Sequence, residues 1–351
     1  VLAPALTIRA GATARRVLAE RGFDRDAFST LVGASGGPKW LVLAGLDRVL
    51  PELVLRRRRE PLDLLGSSIG AFRHACLVQR DPLGALDRFE AAYIEQAYER
   101  RPTPAEVTAE SRRILEVLLG KHGAQDLLVN ERLRTHVIAV RSRLPVASDS
   151  RWPLSAGLGA AAVANALART LLALFFQRIV FSVGAPSLRF RGFGTREIEL
   201  DERNLADALI ASGSIPLVMA GIVDIAHAPR GRYRDGGIID YHFDFRFESR
   251  PGLTLYPHFF RHITPGWFDK ALRWRSPARS VLERVVMLSP SQEFVEKLSG
   301  GRIPDRTDFA AMPTAERQRV WREVAARSRA LGDELVDLAA GRRLADAVEP
   351  L

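Results

Sequence analysis

Leu62-Asp63-Leu64-Leu65-Gly66-Ser67-Ser68-Ile69-Gly70-Ala71-Phe72-Arg73-His74-Ala75-Cys76-Leu77-Val78 is the stretch on which the fold turns. An apolar run at 62–65, a tight Gly-x-Ser-x-Gly turn at 66–70 and a second apolar run at 71–78 predict strand, elbow and helix. A turn this sharp holds one side chain clear of the backbone in a strained conformation. The positions two before and two after it must therefore be almost without side chain. Ser68 has glycine at both, Gly66 and Gly70, whereas Ser67 is flanked at that spacing by Leu65 and Ile69. Ser68 is the candidate nucleophile; an ordinary glycine-rich packing turn is the alternative.

Upstream the same sequence of elements occurs once more. Residues 28–32 read as a buried strand running into Gly33-Ala34-Ser35-Gly36-Gly37-Pro38-Lys39-Trp40, followed by a helix over 41–50. A glycine loop that opens a helix presents free backbone N–H groups, which suit a phosphate or a transient oxyanion equally. A tight packing turn is again the alternative. The loop lacks the Gly-Lys-Ser/Thr of a Walker motif and the Gly-x-Gly-x-x-Gly spacing of a dinucleotide site. Two strand-loop-helix units in succession predict an α/β fold with a parallel sheet. Arg56, Arg57, Arg58 and Arg59 then fall at the amino edge of that sheet, opposite the carboxyl edge where ligands bind. They read as a solvated turn, with a membrane-anchoring patch as the alternative.

Along the rest of the chain, helices are predicted over 12–21, 82–98, 104–119 and 124–133, and strands over 6–9 and 136–140. Residues 154–176 are almost wholly apolar and long enough to cross a bilayer. Gly157 and Gly159 weaken the start, however, and Asn165 and Arg169 are costly in lipid. A buried or groove-capping helix is expected there, with an interfacial helix admitting lipid as the alternative. Further strands are expected at 179–183, 197–200, 222–226, 253–256 and 284–288, a helix at 204–211, and one amphipathic tail helix over 314–340. With no repeat and no long linker, the expectation is one domain over 1–351. Its core spans 28–250, with helical insertions at 82–133 and 154–177 and a tail of strands and helices at 251–351.

The 351 residues are 47% apolar and 26% charged, which excludes a disordered chain. The net charge of +10 is almost all arginine, since the only lysines are Lys39, Lys121, Lys270 and Lys297. Such a surface favours anionic partners. No DNA or RNA motif is present and aromatics are sparse among the basic residues, so no nucleic-acid partner is expected; an anionic membrane face is the better candidate for peripheral contact. The single Cys76 excludes an internal disulfide and fits a reducing compartment. Residues 1–5 carry no basic start followed by a full apolar run, so no signal peptide is expected, and the chain is placed in the cytoplasm. The histidines show no metal-ligand spacing; neither metal nor organic cofactor is expected.

A serine hydroxyl is a poor nucleophile until a base takes its proton. His227, His242, His258 and His262 lie late in the chain, where a Ser-acid-His order would put the base, but none has a local signature. Asp235 does: Asp235-Gly236-Gly237 closes a predicted strand in a turn whose backbone can approach another loop closely.

Taken together these pieces resemble the patatin-like phospholipase family. Ser35-Gly36-Gly37-Pro38-Lys39 is similar to its Gly-Gly-Gly-x-Arg oxyanion loop, and Gly45 stands where a further helix glycine is found. Gly66-Ser67-Ser68-Ile69-Gly70 resembles the nucleophile elbow about thirty residues later, Ala211-Ser212 with Pro216 its Ala-Ser-x-x-x-Pro segment, and Asp235-Gly236-Gly237 its catalytic Asp-Gly-Gly/Ala. The match runs over roughly residues 28–245. It implies a three-layer α/β/α sandwich, a Ser68-Asp235 dyad without histidine, oxyanion donors on the Ser35, Gly36 and Gly37 loop, and a lipid or other acyl-ester substrate. Departures are Ser35 for the first loop glycine, Lys39 for arginine, Trp40 where glycine closes the loop, and Tyr241 and Phe243 after the aspartate. Lys39 and Trp40 are candidate pocket residues, with helix packing the alternative for Trp40. The other readings are a His242 triad and a lipid-binding module of the same fold without turnover. No motif marks the acyl donor, the regiospecificity or the oligomeric state.

Overall fold

Phe28–Gly33 and Leu62–Ser67 are buried at every position, the pattern of parallel strands covered on both faces. The computed structural model describes residues 4–184, 187–272, 274–341 and 344–351. Of the stretch read for a signal peptide, residues 1–3 lie outside the described residues. In chain order the strands are β1 (Leu6–Ala10), β2 (Phe28–Gly33), β3 (Leu62–Ser67), β4 (Leu133–Ser142), β5 (Phe176–Ser182), β6 (Arg189–Phe190), β7 (Arg196–Glu199), β8 (Ile222–Val223), β9 (Arg232–Asp235), β10 (Phe247–Glu248), β11 (Leu253–Pro257), β12 (Val285–Pro290) and β13 (Val348–Pro350).

The main sheet runs β13-β1-β12-β11-β2-β3-β4-β5-β7, with β9 also on β4 and β8 on β9; β6 and β10 form a separate pair. It is mostly parallel and flanked by helices, giving an α/β/α sandwich. The strands β11, β2, β3 and β4 are parallel neighbours. Gly33 of β2 lies opposite Gly66 of β3. The glycine loop and the elbow therefore leave the sheet side by side at its carboxyl edge.

One junction brings distant sequence together. β3 ends with Ser67 opposite Ile138 of β4, and the antiparallel β9 ends with Asp235 opposite the next residue, Ala139. Because β5 takes the other edge of β4 over Ser142 to His136, β3 and β9 abut end to end along one edge.

Three expectations change. Residues 154–176 are not one helix: Arg151–Leu167 is α-helical, Ala168 turns extended, Arg169–Leu174 is a 3-10 helix, and Phe176 begins β5. Nor are all the apolar residues of the helix buried: Leu154, Leu158 and Ala161 pack into a core cluster, but others on it face outward. Asn165 is buried and donates to Asp269 at 2.7 Å, and Arg169 reaches Asp244 and the Ile239 carbonyl, while Trp152 is 84% and Leu167 77% exposed. Among the described residues no helix is long and apolar enough to cross a membrane. The tail is two helices, Thr314–Arg327 and Arg329–Ala340. At the junction Ser328 Oγ accepts the Gly45 N–H at 2.8 Å, and a Cβ on Gly45 would lie 2.0 Å from the Ser328 carbonyl oxygen. Finally, the arginine run is not uniformly solvated: Arg58 is buried and donates to the Phe28, Arg25 and Val54 carbonyls.

Candidate active site

Ser68 sits between β3 and the helix Ile69–Leu77 with φ 54° and ψ −129°. Two close approaches create this strained turn. A Cβ on Gly70 would lie 2.0 Å from the Gly33 carbonyl oxygen, and one on Gly66 would lie 2.6 Å from Ala71 Cα. The helix start is thus pressed against the end of β2, which leaves the Ser68 side chain at the sheet edge, ahead of a helix amino terminus that favours negative charge. The Ser68 N–H is held by Ser212 Oγ at 2.9 Å, and that hydroxyl donates in turn to the Ile138 carbonyl at 2.6 Å.

Ser68 Oγ donates to Asp235 Oδ2 at 2.8 Å, and the other carboxylate oxygen accepts the Gly237 N–H at 2.7 Å. Burial pushes the Asp235 carboxyl up from an ordinary 3.8 to about 6, against the opposing effect of these two hydrogen bonds and of Lys270 and Arg306. Gly236 and Gly237 are required by space: Cβ atoms there would stand 2.3 Å from the Ile138 carbonyl oxygen and 2.5 Å from Ser35 Oγ.

Of the three loop residues singled out as oxyanion donors, two are free to serve. The Ser35 N–H donates to the Tyr241 carbonyl at 2.9 Å and its hydroxyl to Ser67 Oγ at 3.0 Å, so Ser35 is a brace rather than a donor. The N–H groups of Gly36 and Gly37 make no hydrogen bond among the described residues. Gly37 has φ 54°, and a Cβ on Gly36 would lie 2.5 Å from the Phe259 ring.

Two cavities meet at this point. One, of about 130 Å³, is lined by Ser68, Asp235, the glycine loop, Lys39, Tyr241, Trp267, Lys270, Asp305 and Arg306. The other, of about 780 Å³, is largely apolar and runs between the elbow helix and the helices Pro82–Ile94 and Pro104–Leu119. Both include Gly37, Ser68, Ile215 and Arg306. Lys39 lies in the smaller cavity as an ion pair with Asp305, its pKa pushed down to about 8 by burial and by Arg306. Trp40 lines neither: it is buried, stacked on Phe89 at 4.6 Å between ring centroids.

His242 does not reach the dyad. It is buried beside Tyr241 and His258, and its Nδ1 accepts the Thr264 N–H at 3.0 Å. Sequence reasoning missed Lys270 and Trp267, on the short 3-10 helix Trp267–Ala271, and Asp305 and Arg306, on a loop, none of them in a motif; that Lys270 is one of only four lysines is the single signal it offered. No family model matches the chain, and no curated protein matches it. What the geometry itself offers is a hydroxyl bonded to a buried carboxylate of raised basicity, two unengaged N–H groups nearby, and an apolar groove leading away.

Proposed function

We propose that the chain is a serine acyl-ester hydrolase of the patatin-like type acting on lipid esters. The observation that carries this reading is the 2.8 Å bond from Ser68 Oγ, on a positive-φ elbow, to Asp235 Oδ2. Ser68 Oγ attacks the ester carbonyl carbon as its proton passes to Asp235, and the Gly36 and Gly37 N–H groups receive the oxyanion. The carbon–alkoxy bond then breaks and Asp235 returns the proton to the departing alcohol. Water attacks the acyl-enzyme with Asp235 again as base, releasing the acid and restoring Ser68. A carboxyl near 6 is mostly ionised at neutral pH, and it is a stronger base than one at 3.8.

The experiment is intact-mass detection of a fluorophosphonate adduct on wild type, Ser68→Ala and Asp235→Ala, beside hydrolysis of p-nitrophenyl esters. The expected result is an adduct absent from Ser68→Ala, with turnover reduced by about 10³ or more in both variants. A folded wild type with neither adduct nor turnover favours the second reading, a lipid-binding module without turnover. That reading draws on the engagement of the Ser35 N–H by Tyr241, which leaves the loop one donor fewer.

Location follows from the same reading: a cytoplasmic chain that works at a membrane face. Trp152, Val163 and Leu167 on the helix Arg151–Leu167, and Leu171 and Leu174 on the 3-10 helix after it, are exposed apolar side chains on a protein of net charge +10, which suits contact with an anionic bilayer.

A further inference from the structure

The two cavities that meet at Ser68 differ in chemistry, and the difference divides a substrate in two. The larger one is walled by Phe72, Phe89, Tyr93, Ile114, Val218 and Phe309 and has the volume for an extended acyl chain. The smaller one, about 130 Å³ against about 780 Å³, has charged and polar groups over much of its lining. That charged lining suits a short polar alcohol and not a second acyl chain, which would bury apolar surface against unsolvated charges. Its walls hold three cations, Lys39, Lys270 and Arg306, against two carboxylates, Asp235 and Asp305. Lys39 is paired with Asp305. Asp235 is engaged by Ser68 and Gly237. Lys270 has its Nζ 3.9 Å from the centre of the Tyr241 ring and makes no ion pair among the described residues, and the Arg306 side chain has no ion pair or hydrogen bond among them. Two cations therefore face the place where the alcohol leaves, with no anion of the protein assigned to them.

Resting on the hydrolase reading, we propose that the preferred substrate is a single-chain acyl ester whose short leaving alcohol bears an anion, a phosphate or a carboxylate, held by Lys270 and Arg306. The acyl chain lies along the apolar groove. The competing account of these cations, that they serve only to keep Asp235 ionised, predicts equal help to every ester. A ratio of substrates separates the two.

The test compares 1-dodecanoylglycerol, 1-dodecanoylglycerol 3-phosphate and the dodecanoyl ester of glycolic acid, all below their micellisation concentrations, on wild type, Lys270→Met and Arg306→Gln. Wild type is expected to favour at least one anionic ester over the neutral one by about tenfold or more in kcat/KM, with that ratio falling about tenfold in each variant. Whichever anionic arm is favoured identifies the anion as phosphate or carboxylate. A wild-type ratio of one or less, or a ratio that neither variant moves, overturns the proposal while fluorophosphonate labelling of Ser68 upholds the hydrolase reading. A second measurement does not need turnover: binding of dodecyl phosphate, of dodecanoyl glycolate and of 1-O-dodecylglycerol to Ser68→Ala. Dodecyl phosphate or dodecanoyl glycolate is expected to bind about tenfold more tightly than the neutral ether, and Arg306→Gln in the same background to remove the difference. Equal affinities for all three overturn the anion site whatever the fate of the nucleophile.

Discussion

Asp235 joins reactivity to stability in one side chain. Its carboxyl is held near 6, so kcat/KM is expected to rise with pH through a midpoint near 6 and level off above about 7; a rate independent of pH from 5 to 8 would contradict its role as base. The same shift bears on folding. With the folded pKa above the unfolded 3.8, the folded state binds the proton more tightly; that stability is complete below about 3.8 and is lost as pH rises through about 6. Asp235→Asn should therefore abolish turnover and yet raise stability at pH 7–8 by about 1–2 kcal/mol, the upper part of the gain being offset by a Gly237 N–H left facing an amide. Denaturant unfolding at pH 8 and at pH 4 checks this, since the gain should fade at pH 4. At the other end of the bond, Gly70→Ala places a Cβ 2.0 Å from a backbone carbonyl oxygen and is expected to destabilise by about 3 kcal/mol or more, read as a lower denaturation midpoint. Ser68, Asp235 and their glycines were legible because each motif encodes a local close approach. Lys270 and Arg306 were not, because a side chain facing a cavity from a single 3-10 turn or a loop leaves no periodic or spacing signal.

Among the elements, the helix Arg151–Leu167 shows what composition hides. Its hydrophobicity suggests burial, and one face with Leu154, Leu158 and Ala161 is buried, anchored also by Asn165 on Asp269; the other face, with Trp152, Val163 and Leu167, is exposed. An apolar run says that a segment avoids water and leaves open whether protein or lipid replaces it. Trp152→Ser combined with Leu167→Ser should lower binding to anionic phosphatidylglycerol vesicles by about tenfold or more in a sedimentation assay, with thermal stability altered little, since both side chains are exposed in the folded state. Unchanged vesicle binding would remove this surface as the point of contact. The tail helix was misread for a related reason. Its amphipathic pattern continues across residue 328, but the crossing of Ser328 over Gly45 breaks the helix, and no pattern along one segment records which other segment crosses it.

Over the whole molecule, arginine serves the interior as well as the surface. Arg58, Arg73, Arg178, Arg234 and Arg317 are all buried, and each finds backbone carbonyls or carboxylates. Arg73 forms a two-bond pair with Asp47 at 2.6 and 2.7 Å between the glycine-loop helix and the elbow helix. Asp47→Asn leaves that guanidinium without its counter-charge and should destabilise by about 3 kcal/mol, measured by denaturant unfolding. A net charge of +10 thus overstates the cationic surface offered to partners. The α/β layering was legible from two strand-loop-helix units, because buried parallel strands carry continuous apolar runs; the sheet order was not, since β1, β11, β12 and β13 pair across more than 200 residues of chain.

The end-to-end meeting of β3 and β9 on β4 means that the hydrogen-bond ladder of one strand works as a ruler for the reaction. Ile138 and Ala139 are consecutive, so the spacing of hydroxyl and carboxylate is set by the length of a peptide unit rather than by the 167 positions of chain that separate them. Whatever the intervening helices and loops become, longer, shorter or differently lined, that spacing stays the same. Chemistry and recognition are thereby separable inheritances: the groove can be rebuilt for another ester while the reactive pair keeps its distance.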